Sequence, residues 1–285
     1  MYKKLLISFF LIVLVQLSFI QVIDKNSSEQ LDKAFTRSLS VFAIARSLNG
    51  LVSVLQGTEV YATPAGVGVN FAVGQILDPM NDMLERFSWV MLLSSLSLGI
   101  QEIVLHFAQT QLVQALLSLS VLGLLFMIWI PNLWHKPSFN LIFKSFVVFS
   151  FVRFLVPLIV LINEGVYTYG LEEQYEKAKN SLEITQVQTE MIVHQVRQNQ
   201  AQQNSSWLDS LNLNQQVQTF KLKMQNLWDS LKVKFNSAID YMLSLIAIFI
   251  VQSILLPLLS IWLFMRFFQD FMKLDIAEVL DFKSK

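Results

Sequence analysis

The chain contains no cysteine, only three histidines and none of the short motifs that accompany common enzymatic chemistry. Without cysteine it can form no disulfide and can use no thiolate. His106, His135 and His194 are far apart and lack an HExxH spacing, which argues against a catalytic metal site. No GxxxxGKS, GxGxxG or GxSxG pattern is present, which argues against nucleotide binding and serine-hydrolase chemistry. We therefore expect a protein that is not an enzyme and binds no cofactor.

Charge is also scarce. Charged residues make up 15% of the chain, and the 21 basic residues balance the 21 acidic ones. With a net charge of zero, the chain has no field that would attract nucleic acid. Hydrophobic residues make up 54%, 23 residues are phenylalanine, and the mean hydropathy is +0.50. This composition is typical of a chain whose main solvent is lipid, and it predicts an all-α integral membrane protein.

Four apolar stretches are long enough for a helix to cross a hydrocarbon layer of about 30 Å. They are residues 5–23, 112–130, 141–162 and 241–264. The first follows the basic head Lys3-Lys4, and we interpret residues 1–23 as a membrane anchor. A cleaved signal peptide is the alternative, although no small-x-small pattern closes the stretch. Phe87 to Phe107 either crosses the bilayer or lies along its surface. If it crosses, a further crossing within Leu51 to Leu77 is an alternative, which leaves four, five or six spans possible.

The basic residues near the span ends favour one side of the membrane. They belong to the head, the turn between the second and third spans, and the tail: Lys3, Lys4, Lys136, Lys144, Arg266, Lys273, Lys283 and Lys285. Cytoplasmic connections carry an excess of such residues. The distribution therefore favours a cytoplasmic head and tail, with the polar segment before the last span on the opposite side.

Residues 24–86 are expected to lie outside the bilayer. Apolar residues recur at spacings of three, four and seven from Ser28 to Gln56, which predicts an amphipathic helix. The alternation of residues 57–74 predicts a β-hairpin, whose oligomer-contacting face would present Val67, Val69, Phe71 and Val73. A glycine-rich re-entrant loop that lines a pore is the alternative. Asp78-Pro79 resembles the cap and first residue of the helix that follows.

Residues 167–237 are predicted to form a coiled-coil helical hairpin. Two arms show a four-three apolar spacing: Leu171, Tyr175, Ala178, Leu182, Thr185, Thr189, Ile192 and Val196 in the first, and Leu213, Val217, Phe220, Met224, Leu227 and Leu231 in the second. Threonine at seam positions and many glutamines leave hydrogen-bonding faces exposed. Such an arm suits pairing with another subunit or a second protein, although a self-contained hairpin remains open. The domain boundaries that follow are 1–23, 24–86, 87–166, 167–237 and 238–285.

Arg153 is the most unusual polar residue because it lies near the centre of the apolar stretch 141–162. A guanidinium at that depth is costly unless it is paired. Glu102 is the preferred partner for an intramembrane pair, with Glu164, Gln252 and the carbonyl exposed by Pro157 as alternatives. The pair could fix helix register, belong to an ion or proton path, or give way to a snorkelling arginine at lipid headgroups. Pro157 and Pro257 predict helix kinks within the two spans that flank the arm.

Together these features favour a non-enzymatic structural or scaffold protein of the bacterial inner membrane, multi-pass and in contact with lipid. Its partners would be further copies of itself or another membrane or envelope protein, reached through the helical and β hairpins. The alternative is a channel or transport component with Arg153 and Glu102 in the path. No known family is indicated by any motif in the chain.

Overall fold

The computed structural model describes residues 2–57, 60–62, 69–71, 73–130, 137–203 and 233–273, and nearly all of these residues are helical. The helices are α1 (Tyr2–Ser18), α2 (Gln21–Gln56), α3 (Val73–Ala108), α4 (Gln111–Trp129), α5 (Pro137–Val166), α6 (Glu172–Gln203), α7 (233–250) and α8 (Leu256–Lys273). A π-helical segment, Tyr167–Leu171, joins α5 to α6, and a second one, Val251–Leu255, joins α7 to α8. The predicted all-α architecture is confirmed at this level.

Five helices are long and apolar enough to cross a membrane: Gln21–Gln56, Leu77–Ala108, Gln111–Trp129, Ser138–Gln198 and Val233–Asp270. The chain is therefore a multi-pass membrane protein by the length and composition of its helices. The spans differ from those expected, because the predicted N-terminal anchor forms only a shorter apolar helix and the region 24–86, predicted to lie outside the bilayer, contributes α2. The apolar half of α2, from Ser38 onward, supplies the hydropathy that a purely amphipathic interpretation overlooked.

The predicted continuous anchor over residues 1–23 is corrected to two helices that meet at Phe19 and Ile20. Tight backbone bonds close α1, from Phe19 N–H to the Gln16 carbonyl at 3.1 Å and from Ile20 N–H to the Leu17 carbonyl at 3.2 Å. The polar sequence Asn26-Ser27-Ser28, which resembles a helix cap, lies inside α2, where the Ser27 hydroxyl donates to the Ile23 carbonyl at 2.8 Å. That bond satisfies the serine within the helix, so it needs no position at a helix start.

Two short strands precede α3. Val60–Ala62 (β1) and Val69–Phe71 (β2) pair antiparallel, with Val60 opposite Phe71 and Ala62 opposite Val69. Val67 and the side chains of this region lie outside the described residues, so the oligomer-contacting face of the predicted hairpin stays a prediction. Val73 does not belong to that strand, because α3 begins there. Pro79 consequently lies inside α3 rather than at its first position, which corrects the predicted helix start at Asp78.

The chain divides into two compact units. Unit 1 contains Met1–Phe35, Leu96–Tyr169 and Val251–Lys285, and unit 2 contains Thr36–Ser95 and Gly170–Ile250. In unit 1, the end of α4 lies against the first half of α1, since the Trp129 indole N–H donates to the Ser8 hydroxyl at 3.3 Å and the Lys4 ammonium donates to the Ile128 carbonyl at 3.2 Å. Its core is formed by buried apolar residues of α1, α4 and α5: Leu11, Leu117, Val121, Leu124, Met127, Ile128, Phe139 and Phe146.

A second core of unit 1 joins α2 and α3 to α5 through Leu31, Ala34, Leu98, Leu105 and Val160. The helix α8 also packs on α5 in this unit, where the ring of Phe151 lies 6.2 Å from that of Phe264 and 4.9 Å from that of Phe268. These two parts of the chain run antiparallel. Phe151 contacts Phe264, whereas Asn163, which comes later in α5, contacts Gln252, which comes before Phe264.

In unit 2, the predicted apolar seam of the first arm is buried. From Tyr175 onward every predicted seam position of α6 is at most 8% exposed: Tyr175, Ala178, Leu182, Thr185, Thr189, Ile192 and Val196. The seam residue Tyr175 contacts α2, where its hydroxyl donates to the Arg37 carbonyl at 3.5 Å, and α7, where its ring lies 5.9 Å from that of Phe249. Beside the seam, the Gln186 amide donates to the Ser47 hydroxyl of α2 at 3.0 Å. The second predicted arm, from Leu213 to Leu231, lies outside the described residues, so the coiled-coil hairpin itself stays a prediction.

The two π-helical segments shift the buried stripe of each long helix by one residue. Along α5 the buried positions recur every seven residues, as Phe139, Phe146, Arg153, Val160 and Tyr167. The next buried position is Tyr175, eight residues later, and the seven-residue spacing then resumes at Leu182, Thr189 and Val196. Because a π turn contains one more residue than an α turn, the segment Tyr167–Leu171 absorbs this extra residue. Val251–Leu255 does the same between Phe249 and the buried Pro257.

Candidate functional site

The candidate site is the buried polar cluster around Arg153 in unit 1. Arg153 lies on the stripe of α5 that faces the core and is 2% exposed. Its side chain reaches the junction of α1 and α2, where the backbone leaves the helical path between Ser18 and Gln21. The last carbonyls of a helix lack an intrahelical donor, so they are natural acceptors for an arginine.

All three nitrogens of the Arg153 guanidinium are hydrogen-bonded to Ser18 and Asp24. Nη1 and Nη2 donate to the two carboxylate oxygens of Asp24 at 2.6 and 2.7 Å. Nη2 and Nε also donate to the Ser18 carbonyl at 2.6 and 3.2 Å, and Nε to the Ser18 hydroxyl at 3.2 Å. The side chains of Arg153 and Asp24 are 3% and 17% exposed. This bidentate geometry is the one in which a buried ion pair best offsets its desolvation.

Gln109 extends the cluster at the turn between α3 and α4. Its side-chain nitrogen donates to the Asp24 carbonyl at 3.1 Å and to the Ser27 hydroxyl at 3.3 Å, and its oxygen accepts from the Ser28 hydroxyl at 3.2 Å. The cluster therefore ties the α1–α2 junction both to α5 and to the end of α3. Its arrangement is suited to holding helices together, since the donors of the guanidinium are used within the protein.

Glu102 is not the partner of Arg153, which corrects the predicted intramembrane pair. The Glu102 carboxylate lies 3.9 Å from Nε2 of His106, one turn later on α3, and its side chain is 38% exposed. The identity of the partner depends on where the chain turns after α1, and no local spacing reports that turn. The available signal was the position of Asp24, which is the first acidic residue after the apolar α1.

A second polar group of unit 1 lies at the π-helical segment before Pro257. A proline at position 257 has no N–H to donate to the carbonyl of Ser253. That carbonyl instead accepts from the Ser97 hydroxyl at 2.7 Å and from the Gln101 amide at 3.1 Å. The Gln252 carbonyl accepts from Nδ2 of Asn163 at 2.7 Å. Side chains of α3 and α5 thus replace backbone bonds, which explains how the apolar helix tolerates Pro257.

Three atoms of this second group are buried without a hydrogen-bond partner among the residues that the structure describes. They are Oδ1 of Asn163 and both amide atoms of Gln252. Pro157 lies inside α5, and the kinks predicted at Pro157 and Pro257 stay predictions. Within the described ranges, no group of three or more His, Cys, Asp or Glu residues could hold a metal ion.

Comparison with known proteins gives no relative: no protein-family model, no curated protein and no solved structure matches the chain. The function therefore has to be argued from the polar clusters and from the exposed surfaces of the helices.

Proposed function

We propose that the chain is a non-enzymatic structural protein of the bacterial inner membrane that assembles with further copies of itself through α6. The observation that carries the proposal is an exposed apolar stripe on this polar helix. Ile184, Val187 and Met191 are 57%, 49% and 56% exposed. Their spacing of three and four residues puts them on one face of α6, opposite the buried seam of unit 2.

The surroundings of the stripe favour a protein partner over lipid. The exposed side chains of Glu183 and Glu190 lie beside it, and Gln188 is adjacent in sequence. Carboxylates are costly against hydrocarbon, whereas a polar rim around an apolar centre is the usual composition of a protein interface. A second copy of α6 would offer the same stripe, as a twofold symmetric contact requires.

The geometry favours this structural role over a channel or transport component with Arg153 and Glu102 in the path. A residue that conducts ions or protons needs donors or acceptors that face a water-filled route. Arg153 is 2% exposed and directs all three of its nitrogens to Ser18 and Asp24. Glu102 pairs with His106 at the surface of α3. The ion pair of Arg153 with Asp24 is better explained as a fixed connection between helices.

Cysteine cross-linking in native membranes tests the proposal, because the chain contains no cysteine of its own. With Val187→Cys, mild oxidation should give a disulfide-linked species of twice the mass of the chain. The matched control is Arg197→Cys, an exposed position of α6 that lies about 80° away from Val187 around the helix and should cross-link much less. Val187→Lys should abolish the oligomer in sedimentation. An unlinked monomer with Val187→Cys, or an oligomer that survives Val187→Lys, would contradict the proposal.

A further inference from the structure

An apolar groove lies on the surface of unit 1 between α1, α5 and α8. It has a volume of about 350 Å³, and eleven of its twelve lining residues are apolar, Ser150 being the exception. Phenylalanines from all three helices form its walls, among them Phe10, Phe151, Phe264 and Phe268. Polar ligands have almost nothing to bind in such a groove, because a buried polar group without a partner is costly.

The length of the groove matches one leaflet of a bilayer. On α5 its lining runs from Phe146 to Leu158, which is about 18 Å along a helix that rises 1.5 Å per residue. Half of a hydrocarbon core of about 30 Å is about 15 Å. These dimensions fit the greater part of one acyl chain.

A cation lies at one end of the groove. Lys144 is exposed and, within the part of the chain that the structure describes, makes no ion pair. It lies seven residues before Phe151 and fourteen before Leu158, so the three residues share one stripe of α5. A lysine can extend its ammonium group toward the headgroup region while its stem remains on apolar surface. The groove and the cation together match the two parts of an anionic phospholipid.

We propose that this groove, which is independent of the α6 stripe, binds one acyl chain of an anionic membrane phospholipid whose phosphate pairs with Lys144. The charge complementarity at Lys144 distinguishes it from the other exposed apolar faces of unit 1, where lipid only covers the surface. Those faces include Ile100 and Val104 of α3, which are 54% and 45% exposed.

Photo-cross-linking of the full-length chain tests the proposal. The chain is placed in vesicles of equal parts phosphatidylglycerol and phosphatidylcholine, with a trace of either lipid carrying a diazirine on its acyl chain. Mass spectrometry then locates the cross-linked peptides. Phosphatidylglycerol should label the groove segments of α5 and α8 several times more than the α3 face around Ile100 and Val104. Even labelling of these two surfaces would overturn the proposal.

Two pairs of variants separate the groove from the cation. Ser150→Trp fills the groove and should remove most of its labelling, whereas Leu259→Trp, at an exposed position of α8 outside the groove, should not. Lys144→Gln should lower phosphatidylglycerol labelling about fivefold and leave phosphatidylcholine labelling unchanged. Arg266→Gln is the control, since Arg266 is exposed on α8 and its guanidinium lies over the Trp262 ring, 5.9 Å from the ring centroid.

The Lys144→Gln variant keeps the test decisive if Ser150→Trp fails to fold, because Lys144 is exposed and removing its charge leaves the packing intact. Unchanged labelling with Lys144→Gln, or equal effects of Lys144→Gln and Arg266→Gln, would overturn the assigned headgroup contact. A loss of oligomer mass with Ser150→Trp, without loss of lipid labelling, would assign the groove to a second copy of the chain and overturn the proposal.

Discussion

Replacing Arg153 by methionine should destabilise the protein strongly, and the structure indicates by how much. Methionine fills much of the volume of the arginine but leaves the Asp24 carboxylate with no cation, at 17% side-chain exposure. Breaking a buried ion pair by removing one partner costs about 3–5 kcal/mol. The Ser18 carbonyl loses both of its donors from Arg153 in the same step. We expect Arg153→Met to lose at least ~3 kcal/mol of unfolding free energy.

A double-mutant cycle distinguishes the pair from a simple packing defect. Asp24→Asn alone leaves a guanidinium that is 3% exposed without a counter-charge, so it should cost a similar amount. In the double variant Arg153→Met/Asp24→Asn neither charge remains, and the loss should fall to ~1–2 kcal/mol. The coupling free energy between the two positions should then be about 3 kcal/mol or more, whereas independent sites give about 0.5 kcal/mol or less.

The assay is equilibrium unfolding of the purified chain in mixed micelles with increasing SDS, followed by far-UV circular dichroism. Arg153→Lys serves as an intermediate case, because an ammonium keeps the charge but cannot form the bidentate contact with Asp24. The control is Arg86→Met, since Arg86 forms an exposed ion pair with Asp82 and should tolerate the change. Additive single losses, or a loss below ~1 kcal/mol for Arg153→Met, would refute the assigned role of the pair.

Three further outcomes are expected. Gln252→Met should raise the unfolding free energy by about 1–2 kcal/mol, because it removes two buried amide atoms that lack a described partner. A decrease in the unfolding free energy would show that these amide atoms have a hydrogen-bond partner. Gly50→Ala should raise the unfolding free energy by about 0.5–1 kcal/mol, whereas Gly123→Ala should raise it less or lower it, since the added Cβ would lie 3.2 Å from Cγ2 of Ile142. Equal shifts of the two variants in thermal unfolding would count against the close α4–α5 packing. An impermeant maleimide applied to intact cells should label Ser205→Cys but not Ser284→Cys; the reverse pattern would invert the predicted orientation.

The local part of the architecture could be predicted from the sequence, and its tertiary part could not. The seam of α6 depends on spacing within one helix, and the predicted residues Leu182, Thr185 and Thr189 are buried as expected. The membrane class depends on composition, which needs no tertiary information. The bounds of each span are harder to predict, because α2 and α3 each combine a polar and an apolar half in one helix. The mean hydropathy of either half alone misrepresents the whole helix.

The partner of Arg153 shows which tertiary information the sequence patterns lacked. Burial of a guanidinium in an apolar stretch predicts that a partner exists, but Asp24 is 129 residues away in sequence. Its position depends on the break after Ser18, and Arg153 itself stabilises that break by binding the Ser18 carbonyl. In the folded chain, the break and the pair therefore support each other. A sequence pattern that describes one helix at a time cannot report such a mutual dependence.

The π-helical segments are places where the length of this chain can change by one residue in evolution. Deleting one residue there, for example Gly170, would convert Tyr167–Leu171 into an ordinary α-turn and keep the seam of α6 on the same face of the helix, because the segment only absorbs one extra residue. A single-residue deletion elsewhere in α5 or α6 would instead rotate everything after it by about 100° and turn the seam away, and the same distinction holds for Val251–Leu255 and the helices on either side of it. A homologous chain that lacks the extra residue should therefore show an unbroken seven-residue spacing through this point, from the position of Tyr167 to that of Leu182. Single-residue gaps at these two places would mark lineages that lost the extra residue and kept the packing surface.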